Sequence, residues 1–189
     1  LMEGVLPEFD GAGAIREPSG STLTGIVPTN TYLCSDNKHV VIGANGDSIY
    51  VRLMNAIGRT DLANDPKLST NSGRVENQLE IDDAIAFWTN SRASTQVMQI
   101  LEDAEVPVGL IYNIKDMLED PHYQSRDLFE EVEVDGSALK IPAILPKLSK
   151  TPGRTNHPGP RVGSSTMSTL KELGYTEDQL NSMKNDGDI

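Results

Sequence analysis

Asp116, Asp120 and His122 crowd one short stretch, and a carboxylate beside an imidazole is the usual equipment for moving a proton to or from a substrate. The plainer reading is structural, because Asp120-Pro121 has the form of a helix start with proline in the first turn. Asp82-Asp83 reads as the solvated edge of a helix rather than an acid–base pair. Cys34 has neither a histidine nor a basic pair beside it, so it is expected to be a small buried hydrophobe and not a thiolate nucleophile. His39, His122 and His157 lack the spacing of helix-borne zinc ligands, and no metal site is expected. The run Gly43, Ala44, Asn45, Gly46 lacks the third glycine and the βαβ context of a dinucleotide-binding loop. Arg59, Arg74 and Arg126 are expected to form structural ion pairs rather than phosphate contacts, given the acidic chain around them. The spacing of residues therefore assigns no catalytic residue.

Sixteen basic against 28 acidic residues leave a net charge of −12. That balance argues against nucleic acid, whose binding needs Lys and Arg to displace phosphate counterions, and against anionic membranes. A single cysteine among 189 residues excludes an intramolecular disulfide and fits a reducing compartment. No apolar run approaches the roughly 20 residues of a membrane helix. The opening Leu1, Met2, Glu3, Gly4 lacks the basic and apolar regions of a signal peptide. A cytoplasmic protein is expected. At 37% hydrophobic and 5% aromatic, its core must rest on Ile, Leu and Val with anchors such as Phe87 and Trp88.

The elements that would position these residues follow from periodicity. Residues 1–30 are rich in glycine and proline and read as an irregular arm. Runs at 31–34 and 39–44 flank Ser35, Asp36, Asn37 and Lys38, a turn-forming set, and predict a hairpin. A helix is expected from Asp47, as N-cap, to about Ala56. A second is expected over 73–89 with Val75, Leu79, Ile85 and Trp88 inward. A third should be capped by Ser94 and carry Val97, Ile100, Leu101 and Ala104 on one side. Residues 106–114 read as a strand or buried crossing, and 115–118 and 122–129 as short helical turns. Residues 129–134 and 138–141 around Asp135-Gly136 predict a hairpin with a type I′ turn. The proline-rich stretch 142–160 reads as a second extended arm. Two helices follow, 165–173 and 177–183, the latter opened by a Thr176/Gln179 capping box. The fold class is α+β: an arm or linker over 1–30, a small domain over 31–142 with β-hairpins and short helices, a return arm over 143–163, and C-terminal helices over 164–189.

The order of several short patterns adds to this. Tyr32, Leu33, Cys34, Ser35, Asp36, Asn37 is followed by Ile57-Gly58-Arg59, Asp61-Leu62 and Asp65-Pro66. After these come Arg74 with Asn77, then Val106, Pro107, Val108, Gly109, then Asp120-Pro121 with Arg126, and Thr151-Pro152-Gly153. The succession resembles the C-terminal part of a family III CoA-transferase (the formyl-CoA transferase, carnitine CoA-transferase and 2-methylacyl-CoA racemase group). Asn37 stands where glycine is usual, and it too tolerates the left-handed conformation. Gly163, Ser164, Ser165, Thr166 stands where a Gly-Glu-His-Thr pattern is common, so both Glu and His are replaced. The resemblance implies a large Rossmann-like domain upstream of residue 1, an interlocked homodimer, and an aspartate nucleophile lying outside this chain. It implies coenzyme A thioesters as substrates, no permanently bound cofactor, and no catalytic residue within these 189. In formyl-CoA transferases a glycine-rich loop covers the active site. The stretch aligned with it keeps only Gly25, which makes Gly25 and Ile26 the expected substrate-facing residues, without a mobile glycine lid. The turn Ser35, Asp36, Asn37 lies where the small domain of some relatives approaches CoA.

Two kinds of function remain open on these grounds. One is the C-terminal part of an enzyme moving CoA between an acyl-CoA and a small carboxylic acid through an aspartyl intermediate, inactive in isolation, with an acyl-CoA racemase as a variant. The other is a non-catalytic assembly module that binds a partner through its arms.

Overall fold

The computed structural model describes residues 3–189; Leu1 and Met2, from the opening of the expected first arm, lie outside the described residues. The rest of that arm is not all irregular, since Val5–Ala12 forms helix α1. Pro7 falls in its first turn, where a missing N–H is harmless. Gly13 ends it at φ 63, a left-handed cap that glycine adopts without strain. An Arg16–Glu8 ion pair folds the following segment back on it.

The described chain divides into two compact units, one ending at Tyr112 and the second running Asn113–Ile189. In the first, β1 (Thr29–Leu33) and β2 (His39–Gly43) form the expected hairpin, with Thr29 opposite Gly43 and Leu33 opposite His39. Asn37 closes its turn at φ 60, as its tolerance of that region allows. Strand β3 (Val108–Leu110) joins the free side of β2, also antiparallel. Val40 and Ile42 are fully buried while Val41 between them faces out, the period of a sheet covered on one face.

The helical elements of this unit that follow the hairpin are α2 (Asp47–Ala56), α3 (Thr60–Ala63), a 3-10 turn at Pro66–Leu68, α4 (Asn71–Glu76), α5 (Gln78–Asn90) and α6 (Ser94–Asp103). Gly46, not Asp47, holds the cap position of α2, because the Asp47 carboxylate is engaged by Arg74 at 2.8 Å. The single helix expected over 73–89 is two. Asn77 N–H turns to the Arg74 carbonyl at 3.2 Å, and its side chain takes the freed Gly73 carbonyl at 2.8 Å. The break rotates the second segment. Ile81, Ile85 and Trp88 face the core, whereas Leu79, expected inside, is 81% exposed. In α6, Val97 and Leu101 are buried but Ile100 is 37% exposed, so its apolar stripe is narrower than expected. Helix α5 lies against β1, and α6 against β2 and β3.

Arg74 stands at the centre of this unit with no exposed surface. Its guanidinium donates four hydrogen bonds: Nε to Val27 O at 3.0 Å, Nη1 to Leu68 O at 3.0 Å, and Nη2 to Asn45 O at 2.6 Å and Asp47 Oδ1 at 2.8 Å. The Tyr50 ring lies under it at 4.9 Å. The planar fork of arginine suits this task and the point charge of lysine does not. Beside it, a Cβ on Gly73 would press into the Lys67 carbonyl oxygen, so glycine is required by space.

In the second unit, α7 (Ile114–Glu119) and α8 (Pro121–Ser125) are capped by Asn113 and Asp120, with Pro121 at the first helical position as expected. Strands β4 (Phe129–Val134) and β5 (Ser137–Pro142) pair through Asp135 and Gly136 at φ 55 and 78, the two positive values of a type I′ turn. The proline-rich stretch is tied to this hairpin. Ala143 N–H donates to Leu128 O at 3.0 Å, and Lys147, Thr155 and Arg161 bind Asp127, Glu130 and Asp135. Helices α9 (Thr166–Glu172) and α10 (Glu177–Asp186) close the chain, α10 with the Thr176/Gln179 capping box. Among the described residues no helix is long and apolar enough to cross a membrane.

Removing Arg74 strands the buried carbonyls of Val27 and Leu68. Arg74→Ala is expected to destabilise the first unit by about 3–5 kcal/mol, and Arg74→Lys to recover less than half of that. Gly73→Ala should lower the melting temperature as well. Urea denaturation followed by Trp88 fluorescence measures all three.

Candidate functional site

The candidate site begins with the loop in front of β1. Leu23 N–H donates to Thr29 O at 3.3 Å and Ile26 N–H to Leu23 O at 3.2 Å, which closes the neck of the loop. Two side chains of α4 hold its second half. Asn71 Nδ2 donates to Gly25 O at 2.8 Å, and Asn71 Oδ1 accepts Val27 N–H at 3.1 Å. Arg74 takes the Val27 carbonyl on the next atom pair along the chain. Because a donor and an acceptor are both required, the orientation of the Asn71 amide is set by its partners. Gly25, at φ 80, occupies the conformation that glycine alone adopts freely. Gly25 and Ile26 are both exposed, and among the described residues the Gly25 N–H has no acceptor.

The turn Ser35, Asp36, Asn37 lies at the far end of β1, a strand of five residues and so about 16 Å long. The structure therefore does not bring the two predicted contact groups together. At the turn, the Asp36 carboxylate accepts Ser94 Oγ–H at 2.7 Å and Ser94 N–H at 3.1 Å, and Ser35 N–H donates to Arg92 O at 2.9 Å. Ser94 is thus the first residue of α6 rather than its cap. The cap position belongs to Ala93, which has no side-chain acceptor, and Asp36 supplies one from another element. The Ser94 hydroxyl, with backbone N–H groups behind it, holds the Asp36 carboxyl below its ordinary range.

Other candidate residues have structural roles. Asp82 is not a solvated edge, since it accepts Tyr32 Oη–H at 2.6 Å and Gln78 Nε2–H at 3.2 Å. Burial first, and that carboxylate second, raise the Tyr32 hydroxyl far above its usual range. Asp83 is exposed. Cys34 is 1% exposed, as expected of a packed hydrophobe, and burial pushes its thiol up. Asp116 accepts Asn113 N–H at 3.1 Å, and Asp120 caps α8. Among the described residues no three His, Cys, Asp or Glu side chains group to hold a metal ion.

A groove of about 850 Å³ runs along α5 and was not foreseen. Arg92 lies over the Trp88 ring there at 4.7 Å, beside Phe87, which is 82% exposed. Arg59 lies there too and pairs with Asp61 at 2.7 Å, which holds the Asp61 carboxyl down at about 2. Asn71 was equally missed. Its only signal is its place just ahead of the Gly73-Arg74 pair.

A family model described as CoA-transferase family III matches residues 1–166. The chain is 40% identical over 182 residues to the succinyl-CoA–D-citramalate CoA-transferase of Chloroflexus aurantiacus, covering 95% of this chain and 45% of that one. It is 30% identical over 174 residues to a succinyl-CoA–L-malate CoA-transferase alpha subunit of the same organism, covering 92% and 41%. A CaiB/BaiF family protein from Brucella suis superposes with a TM-score of 0.73 at 20% identity, over 92% of this chain and 44% of that one. The chain spans about half the length of the curated relatives it matches.

The Asp36–Ser94 contact has a pH signature. A depressed carboxyl contributes stability that is present above its unfolded value of about 3.9 and lost as pH falls through the folded value. Asp36→Asn should melt below the wild type at neutral pH. The gap should close as pH is lowered to about 2, past the ordinary carboxyl range. Circular dichroism melts across that range check it; a gap that ignores pH refutes the charged cap.

Proposed function

We propose that this chain, which belongs to CoA-transferase family III, is the C-terminal portion of an enzyme that moves CoA from a dicarboxylic acyl-CoA such as succinyl-CoA to a small hydroxy-dicarboxylate. The observation that carries the proposal is the 40% identity, over 95% of this chain, with a relative named for that transfer. The malate-transferring relative, 30% identical, supports the same class of acceptor.

The nucleophilic aspartate belongs to sequence outside this chain. In support, the best-placed carboxylates of the first unit are already engaged: Asp36 by Ser94, Asp47 by Arg74, Asp82 by Tyr32. In the reaction a carboxylate attacks the thioester and expels CoA thiolate, leaving a mixed anhydride. The thiolate then attacks the enzyme's own acyl carbon, giving an aspartyl-CoA thioester and releasing the first acid. The second acid reverses the sequence. Each tetrahedral oxyanion on the way needs a prearranged N–H donor.

This chain's part is to form one wall of the pocket. Gly25 and Ile26 face the acyl group, and Ser35, Asp36 and Asn37 approach the CoA moiety at the other end of β1. An extended acyl-CoA is longer than that strand, so one ligand reaches both ends. A net charge of −12 favours placing most cations for the CoA phosphates in the large domain. Two such enzymes pair as a homodimer, with the ends of this chain, 1–30 and 143–189, returning to the large domain.

The full-length protein should transfer CoA from succinyl-CoA to citramalate or malate, and hydroxylamine should trap its acyl intermediate as an aspartyl hydroxamate at a position outside this chain. The 189-residue chain alone should transfer none. Transfer by the isolated chain, abolished by one substitution within it, would place the nucleophile among its own residues instead. Transfer by the full-length enzyme only to monocarboxylates would overturn the acceptor class.

A further inference from the structure

The loop proposed to face the substrate is exposed, yet its backbone is held at successive peptide groups by one short helix. We infer that Asn71 is a positioning residue: its side-chain amide fixes the peptide planes on either side of Ile26, and so holds in place the Gly25 Cα from which the unsatisfied Gly25 N–H is presented to the substrate pocket. This inference rests on the reading of Gly25 and Ile26 as substrate-facing.

The geometry carries it in three steps. Asn71 Nδ2 holds the Gly25 carbonyl at 2.8 Å and Oδ1 holds the Val27 N–H at 3.1 Å. The amide thereby imitates the edge of a β-strand laid along a segment that belongs to no strand. The next constraint, Arg74 on the Val27 carbonyl at 3.0 Å, comes from the adjoining turn of α4 and is buried. Arg74 anchors the fold from within, whereas Asn71 reaches from buried Val27 out to the exposed Gly25. At the tip, Ile26 N–H is spent internally on Leu23 O at 3.2 Å. Gly25 N–H has no acceptor among the described residues and belongs to an exposed residue at φ 80. A side chain at Gly25 would strain that conformation. The close spacing around it, with neck, amide clamp and guanidinium all within residues 23–29, leaves the loop little freedom to swing as a lid. Preorganisation of a backbone donor is what acyl transfer asks of such a loop.

Oriented this way, Asn71 contributes differently through its two ends. Asn71→Asp retains an acceptor for Val27 N–H but sets a carboxylate against the Gly25 carbonyl. Asn71→Ala removes both bonds.

The test uses the full-length enzyme with an acyl-CoA donor and a carboxylate acceptor for which the wild type is active. Asn71→Ala and Asn71→Asp should lower kcat/KM by about tenfold to a hundredfold at temperatures where both remain folded, a loss larger than any fall in the folded fraction explains. Gly25→Ala serves as the second arm. If Gly25→Ala impairs kcat/KM and neither Asn71 variant does, Asn71 does not position the loop, and the substrate-facing reading survives. If Gly25→Ala also leaves kcat/KM unchanged, that reading fails and the inference fails with it. Should Asn71→Ala not fold, Asn71→Asp decides. Loss of activity only in proportion to the fraction unfolded means a merely structural residue and overturns the inference. Amide hydrogen exchange at Ile26 and Val27, faster in Asn71→Ala than in wild type while the core amides are unchanged, is the readout that a general loss of stability would not give.

Discussion

A buried guanidinium organises the first unit. Arg74 draws together backbone carbonyls from three separate places: Val27 before β1, Asn45 after β2, and Leu68 in the 3-10 turn. A fourth bond to Asp47 offsets the charge at the start of α2. Burying a cation is costly unless its hydrogen bonds are met. Every buried polar side-chain atom among the described residues is met. The consequence is geometric. Both ends of the β1–β2 hairpin nearest α4 are tied to one side chain, so the sheet, the helices on it and the loop ahead of β1 share a single reference point.

From that point the two candidate contact regions follow. The loop at Gly25 is tied to α4 by Asn71, three residues before the Arg74 that holds Val27. The turn at Asp36 lies a strand's length away and is fixed by a separate contact, the Asp36 carboxylate on the start of α6. Neither region needs the other. A ligand spanning both would meet two wall segments held independently, one through a buried cation and one through an exposed anion.

The second unit is held together differently. Its strands and helices are short, and the stretch between β5 and α9 has no regular element. It is held by side chains reaching back to the β4–β5 hairpin and the turn just before it: Lys147 to Asp127, Thr155 to Glu130 and Arg161 to Asp135. The two exposed ion pairs among these contribute little each. Their effect is to choose a path for a chain whose prolines already limit its freedom.

Local chemistry, which sequence expresses directly, determined the hairpin turns at Asn37 and Asp135-Gly136, the Asp120-Pro121 and Thr176/Gln179 caps, and the burial of Cys34. The order of the short motifs determined the family. Each of these depends on a residue and its near neighbours. What tertiary structure decided depends on residues distant along the chain. The helix over 73–89 splits because the Asn77 side chain caps Gly73 while Arg74 points inward. Asp47 leaves its cap position to Gly46 because Arg74 claims it. Asp82 serves Tyr32 from 50 residues away, and Asp36 caps a helix that begins 58 residues later. The clamp of Asn71 on Gly25 is of the same kind. A hydrogen bond between residues 46 apart leaves no periodic trace in the sequence, so only the folded chain could reveal which groups meet.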